Sequence, residues 1–256
     1  MKKGTEMKKM KNQNLNELYR FDNFIEDKSN KFAYGVAKRE SKSENTIYSS
    51  LLYIYGKSGL GKTHLIQAYG NQYLKMNKHV IYIDIESFMN EYTKALRCQV
   101  MDTFHSKYNK CDLLILDDIQ NILWKEQTQS ELLTRISTLI NLGKKVVLAG
   151  SNSPYSKKGW IPNLSSYLVG GLVIKIDTLY SYKTKMYFIE QFLIKSNIEL
   201  TEEVKAYIIE KYSSDIRMIK GMLLQIQTYM SIYKKPVSLK TIQSFHTLSS
   251  NDKEIK

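Results

Sequence analysis

Gly56-Lys57-Ser58-Gly59-Leu60-Gly61-Lys62-Thr63 has the spacing G-x-x-x-x-G-K-[ST], which suits the cradling of a polyphosphate. Glycines let successive backbone N–H groups turn toward phosphate oxygens, and a helix starting inside the motif adds the positive end of its dipole. In such a loop the lysine, here Lys62, reaches the β- and γ-phosphates, and the Thr63 hydroxyl is a ligand for Mg²⁺. A second constellation follows at Leu113-Leu114-Ile115-Leu116-Asp117-Asp118, an apolar run ending in two carboxylates. Downstream of a phosphate loop, an acid at such a strand end holds Mg²⁺, usually through water. Asp117 takes that role by position, and Asp118 is left to polarise an attacking water. An aspartate reaches less far than a glutamate, so hydrolysis is expected to be slow. Aspartates are also common at plain strand-to-loop turns; the phosphate loop upstream favours the functional reading.

These groups need a scaffold. Apolar runs at 51–55, 79–84, 112–116, 145–149 and 172–176 read as strands, with helical patterns between them at 61–75, 86–108 and 126–142. That alternation marks a parallel sheet with crossover helices. The expected fold class is α/β, a central parallel five-stranded sheet flanked by helices. Residues 150–171 look loop-rich. After residue 178 the strand signals stop, and helices are expected near 181–196, 201–213, 215–233 and 238–246. Thr201 has the character of a helix cap, with Glu202 and Glu203 in the first turn. The chain then divides into a flexible basic lead (1–18), a nucleotide-binding core (19–177), a small all-helical lid (178–250) and a tail (251–256).

The 256 residues carry 38 Lys+Arg against 25 Asp+Glu, a formal net charge of +13. An anionic partner is expected, nucleic acid first; a lysine-rich solvated surface is the alternative. Cys98 and Cys111 match neither zinc spacing nor a disulfide framework, which fits a reduced, cytoplasmic setting. The basic start has no apolar stretch behind it and does not read as a signal peptide. No run approaches the length of a membrane span, so no membrane partner is expected. The histidines at 64, 79, 105 and 246 lack ligand spacing, so a metal site built of side chains alone is not expected. The nineteen tyrosines are expected at core margins with their hydroxyls wet.

Four segments in unbroken order carry a resemblance. The stretch from Gly56 through Thr63 to His64-Leu65 resembles the phosphate loop of DnaA, the bacterial replication-initiator family. Tyr19-Arg20-Phe21-Asp22-Asn23-Phe24, followed by Ser29-Asn30-Lys31-Phe32-Ala33, resembles the entry to that family's ATPase domain. Leu116-Asp117-Asp118-Ile119-Gln120, then Lys125-Glu126-Gln127-Thr128-Gln129, resembles its Mg²⁺ motif and the segment after it. Ser214-Asp215-Ile216-Arg217 with Gly221 resembles the lid motif that supplies the sensor 2 arginine. The likeness runs from about residue 19 to 246 and implies a P-loop AAA+ fold, ATP with Mg²⁺ as ligand, and bacterial DNA replication as context. By position, Phe21, Asp22, Asn23 and Phe24 line the adenine end. Gly56, Ser58, Gly59, Leu60, Gly61, Lys62, Thr63 and His64 surround the phosphates. Thr63 and Asp117 serve Mg²⁺, Asp117 and Asp118 form the acidic pair, and Arg217 reaches from the lid toward the γ-phosphate. The alternative for Arg217 is a surface arginine paired with Asp215.

The departures from the family carry as much information. Where the family has its arginine finger, the segment Leu164-Ser165-Ser166-Tyr167-Leu168-Val169-Gly170-Gly171-Leu172 places Tyr167. A neutral phenol cannot neutralise charge developing on a neighbour's γ-phosphate, and such fingers contribute about 10³–10⁵ in rate. Lys157, Lys158 and Lys175 are the nearby cations that could substitute. The sensor 1 acid is replaced by Ser151, with Asn152 beside it. The sequence stops where the family's duplex-reading helix-turn-helix domain would begin, and its N-terminal interaction domain is not in the sequence.

The family also holds single-stranded DNA on helices matching Glu86 to Lys110. Here Lys94, Arg97, His105, Lys107 and Lys110 lie among Tyr92, Phe104 and Tyr108. That suits a phosphate track with base stacking, and equally an amphipathic helix with its aromatics in the core. Three functions follow. The first is an ATP-binding replication protein of the initiation machinery or its regulation, with weak hydrolysis, that accepts a finger from an AAA+ neighbour but cannot donate one. The second is a helicase loader engaging the replicative helicase and single-stranded DNA. The third is a nucleotide-binding scaffold without meaningful turnover. The partner expected is a replication initiator or the replicative helicase.

Overall fold

The computed structural model describes residues 12–42, 49–177, 181–212 and 215–250, with side chains from 14 to 245. Residues 1–11 of the expected lead, the tail 251–256, Ser214 and the side chain of His246 lie outside the described residues. The chain forms two units, Met1–Thr178 and Leu179–Lys256.

Six strands build one sheet in the first unit: β1 (Asn12–Gln13), β2 (Leu51–Tyr55), β3 (Val80–Asp84), β4 (Leu113–Asp117), β5 (Lys145–Gly150) and β6 (Leu172–Lys175). Their order is β1-β3-β4-β5-β2-β6, and every pair is parallel. The five strands expected from the sequence form the body of the sheet. Strands β4 and β5 are buried along their whole lengths, as parallel strands covered on both faces must be. The covering helices are α1 (Lys31–Glu40), α2 (Lys62–Lys75), α3 (Ile85–Arg97), α4 (Met101–Asn109), α5 (Glu126–Asn141) and α6 (Pro162–Val169). Helix α2 packs on β3, β4 and β5, which brings the start of α2 over the end of β4.

Several expectations change here. The helical stretch at 86–108 is two helices, parted at Cys98–Val100 where Gln99 takes φ 56°. The stretch 150–171 contains α6, which Pro162 opens from the first helical position, where a missing N–H costs nothing. Helix α1 falls inside a region with no strong periodic signal. The described part of the lead is held in place: β1 pairs with β3, Leu15 is buried, and Asn16 bonds to Gln67 and Asn71. Tyr53, Tyr69 and Tyr108 lie inside the core, not at its margin, and the Tyr53 and Tyr108 hydroxyls are bonded to Asn152 O and Glu91. At the far end of the sheet a buried ion pair, Lys145 Nζ to Glu40 Oε2 at 3.3 Å, ties the start of β5 to the end of α1.

The second unit is helical: α7 (Tyr182–Ser196), α8 (Glu202–Lys211), α9 (Ile216–Tyr233) and α10 (Leu239–Ser250). Its core gathers Ile189, Val204, Ile208, Ile219, Leu223, Ile226 and Ile242. Ser181, Thr201 and Asp215 each cap the helix that follows by accepting a backbone N–H, which satisfies donors a helix start leaves orphaned.

Candidate functional site

All the loops that could carry chemistry leave the same edge of the sheet, the ends of β2, β4 and β5, where open parallel sheets bind ligands. The phosphate-loop motif turns from β2 into α2. Gly61 stands at the cap of α2 with φ 84° and ψ 13°, a left-handed conformation that costs glycine nothing. It offers no side chain to cap the helix, so the first-turn N–H groups stay available for an anion. Gly56 permits the tight closure at the other end: a Cβ there would sit 2.5 Å from Ile176 O. Lys62 is buried, and its Nζ donates to Gly56 O at 2.7 Å and Lys57 O at 2.9 Å. The ammonium thus spans the loop that it would serve.

The two expected Mg²⁺ residues meet. Thr63 Oγ1 donates to Asp117 Oδ2 at 2.7 Å. Asp117 also accepts from Tyr82 OH at 3.1 Å and, through Oδ1, from the Asp118 N–H at 2.9 Å. Register explains Tyr82: β3 pairs Tyr82 with Ile115, and a period of two puts Ile115 and Asp117 on one face. Burial pushes the Asp117 carboxyl above its usual range, and the Asp118 charge pushes it further up; the bonds from Thr63, Asp118 N–H and Tyr82 oppose this. A desolvated carboxylate paired with a hydroxyl is a hard-oxygen set that gains from a divalent cation, so the residues present fit Mg²⁺.

Asp118 lies outside the buried pair, exposed, with φ 54° and ψ 38°. Ser151 and Asn152 follow β5, and Ser151 Oγ donates to Asn152 Oδ1 at 2.8 Å.

The segment expected at the adenine end packs on the same helix start. His64 Nε2 donates to Arg20 O at 2.9 Å and to Asn23 Oδ1 at 3.1 Å. Its ring contacts Tyr19 and Phe24, with centroids 4.9 and 5.2 Å away. Phe24 stacks on Tyr34 at 5.5 Å. Phe21 is buried, while Asp22 and Asn23 are exposed. Burial lowers the His64 pKa, and the Arg20 carbonyl partly restores it. His64 therefore fastens residues 20–24 to the loop.

Several of the remaining expected residues have partners of their own. Arg217, in the first turn of α9, is 64% exposed on its side chain and bonds Asp215 Oδ2 at 2.9 Å, the pairing set against its sensor role. Tyr167 on α6 is half-buried against the core. With Ser49, Leu51, Leu133, Asn163 and Gly171 it lines a groove of about 680 Å³ at the edge where the strands begin. Lys157 and Lys158 are exposed, and Lys175 pairs with Asp177 at 2.7 Å. In the segment expected to meet DNA, Phe104 and Tyr108 are core residues and Tyr92 packs on them, so these rings are not free to stack on bases. Lys107 is held by Glu91 at 2.7 Å. Lys94, Arg97 and Lys110 are exposed.

Tyr82, Tyr34 and Gln120 belong to the site and were not singled out from sequence. Only the alternation along β3 could have pointed to Tyr82, and no spacing rule to the other two.

The geometry has known counterparts. The model of the bacterial DnaA ATPase domain matches residues 15–175. The chromosomal replication initiator protein DnaA of Helicobacter hepaticus is 38% identical over 226 residues, 88% of this chain and 49% of that protein. The chain thus spans about half the length of that relative. Domain III of the Thermotoga maritima replication initiation protein DnaA superposes with a TM-score of 0.83 at 30% identity, covering 90% of this chain and 96% of that one. A replication initiator DnaA bound to AMPPCP and single-stranded DNA superposes with a TM-score of 0.78 at 31% identity, covering 93% of this chain and 70% of that one. With the family model matching residues 15–175 and a relative 38% identical across 88% of its length, the chain belongs to the bacterial DnaA ATPase-domain family.

Proposed function

We propose that this chain is an ATP-binding AAA+ module that acts in bacterial replication initiation or its regulation and turns ATP over slowly. The observation that carries the reading is the 2.7 Å bond between Thr63 and Asp117 directly beyond an uncapped, glycine-turned helix start. Two elements far apart in sequence bring together a hydroxyl and a carboxylate, the pair a phosphate-bound cation would use. The phosphate loop and Lys62 hold the phosphates, residues 20–24 border the base, and Thr63 with Asp117 hold Mg²⁺. Bound there, Mg²⁺ neutralises charge on the phosphate oxygens. Asp118 orients the attacking water, with Ser151 or Asn152 beside it.

Arg217 reaches the γ-phosphate only after leaving Asp215. The guanidinium is 64% exposed and the Asp215 carboxylate 18%, so the exchange breaks a partly screened pair. Tyr167 occupies the finger position and leaves the chain able to accept a finger but not to give one. Such a chain ends an assembly of AAA+ neighbours. Lys94, Arg97 and Lys110 give single-stranded DNA a backbone track without stacking platforms; a similar DnaA bound to single-stranded DNA supports that ligand class.

The test is a pull-down in ATP and Mg²⁺, offering initiator and replicative helicase from the same cell. Capture of the initiator, lost in Lys62→Ala, is expected. Capture of the helicase alone, or capture indifferent to Lys62→Ala, would overturn the reading.

A further inference from the structure

The Gln120 side chain joins the loop after β4 to the loop after β5. Its Oε1 accepts from the Ser151 N–H at 2.9 Å. Its Nε2 donates to Asp118 Oδ1 at 3.0 Å. The backbone donor fixes the amide's orientation, because only the oxygen can face an N–H. The NH₂ group must then face the carboxylate, which accepts. Neither end of the amide can reverse without setting two donors or two acceptors against each other.

The seat of this amide is tight. A Cβ at Gly150 would lie 3.3 Å from Gln120 Oε1, 3.0 Å from Ile119 Cγ1 and 2.7 Å from Tyr53 OH. The absent side chain at 150 therefore leaves room for the amide against the end of β5. Tyr53 OH in turn donates to Asn152 O at 2.5 Å, which fixes the same loop from below. Asp118 itself is exposed and stands in a left-handed conformation. Its backbone bond to Asp117 Oδ1 fixes its main chain, and the Gln120 amide holds its side chain.

The geometry points to Gln120 as a positioning residue for hydrolysis: it clamps the Asp118 carboxylate to the end of β5 and so sets the distance between Asp118 and the Ser151–Asn152 loop. This rests on the reading of Asp118 as the group that orients water. Gln120 touches neither nucleotide nor water; it acts by holding one acid oxygen, which leaves the other to accept from the attacking water. Water activation demands alignment, and a misplacement of about 1 Å can cost on the order of 10²-fold in rate.

Three variants separate the effects, assayed for ATP turnover in the full chain with its initiator partner. Gln120→Leu removes both bonds. It should lower kcat about tenfold or more and change nucleotide KM less than about twofold. Gln120→Glu keeps the bond from Ser151 but sets a carboxylate against Asp118. Its kcat should fall at neutral pH and recover as the pH drops, because a protonated introduced carboxyl can donate to Asp118 again. A residue needed only for folding would show no such recovery. Asp118→Asn is the control for the underlying reading. If Asp118→Asn abolishes turnover while both Gln120 variants keep wild-type kcat and pH profile, the clamp is wrong and the role of Asp118 stands. If Asp118→Asn is neutral, or the assembled wild type does not turn over ATP, the reading of Asp118 falls and the clamp with it.

Discussion

Asp117→Asn separates what this carboxylate does for the fold from what it does for a metal-bound nucleotide. Asp117 is 2% exposed and accepts from Thr63 Oγ1, Tyr82 OH and the Asp118 N–H. Burial already works against its charge, and a neutral amide removes that penalty. The amide can also be accommodated. Its oxygen keeps the Asp118 N–H, and its NH₂ faces two hydroxyls, each able to rotate and accept. The nucleotide-free α/β unit should therefore change by less than about 1 kcal/mol, a midpoint shift within about 4 °C. Asp117→Ala instead orphans three half-shielded donors, at about 1–3 kcal/mol for each that finds no water. Ligand saturation to about a hundred times Kd adds about 2.7 kcal/mol, or roughly 5–11 °C for a unit of this size. Asp117→Asn should lose the Mg²⁺-dependent part of that gain. Tryptophan fluorescence reads it cleanly, because Trp124 and Trp160 both lie in the α/β unit. An Asn variant as unstable as the Ala variant without ligand would refute the hydrogen-bond argument. An undiminished Mg²⁺-dependent shift would refute the assignment of Asp117.

Three further outcomes are expected. Burial holds the folded-state pKa of His64 below 6.5, so the unfolded chain binds that proton better. Stability should fall as the pH drops through 6.5 and level off below the folded value; urea midpoints from about pH 7.5 to about pH 5.5 should slope less in His64→Gln, and equal slopes would refute this. Gly70→Ala should destabilise despite a helix-propensity gain of about 1 kcal/mol, because the new Cβ would lie 2.7 Å from Ile115 Cδ1 and 3.0 Å from Leu15. Overpacking costs about 1–3 kcal/mol, and Leu15→Ala in the same chain should recover part of it in thermal melts; a net stabilisation would show that the Leu15 segment does not press on α2. For single-stranded DNA, Lys94→Ala with Arg97→Ala should reduce the log K–log[salt] slope by about 1.4, two phosphates at about 0.7 each. Lys107→Ala should change it little, since Glu91 already holds that ammonium; the reverse ranking would move the track elsewhere.

The body of the sheet was legible because each strand is an apolar run that ends in turn residues, and parallel strands buried on both faces must read that way. The meeting of the phosphate loop with Asp117 was legible for a related reason: the chemistry proposed for them fixes residue type and spacing locally. What escaped depends on tertiary placement. Gln99 breaks the 86–108 helix with a positive φ and neither glycine nor proline to announce it. Tyr82 joins the site through the register of β3 on β4. Gln120 joins it through a backbone N–H at residue 151. Between residues 86 and 110 the spacing of basic and aromatic residues did not show that the core takes Phe104 and Tyr108.

The proposed function gives Tyr167 a role apart from the chain's own nucleotide site, and the sheet accounts for that separation. The phosphate loop leaves the end of β2, and Tyr167 lies on α6, just before β6 begins. In a parallel sheet these are opposite edges. The five residues of β2 separate them by roughly 16 Å at about 3.3 Å per residue, beyond the reach of any side chain at 167 toward its own phosphates. A residue there can act only on a second molecule seated against the strand-start edge. Under the proposed function, a phenol at 167 leaves Lys62, Thr63 and Asp117 untouched and bears only on what this chain would donate. Binding and donation are separable because the sheet itself keeps them apart.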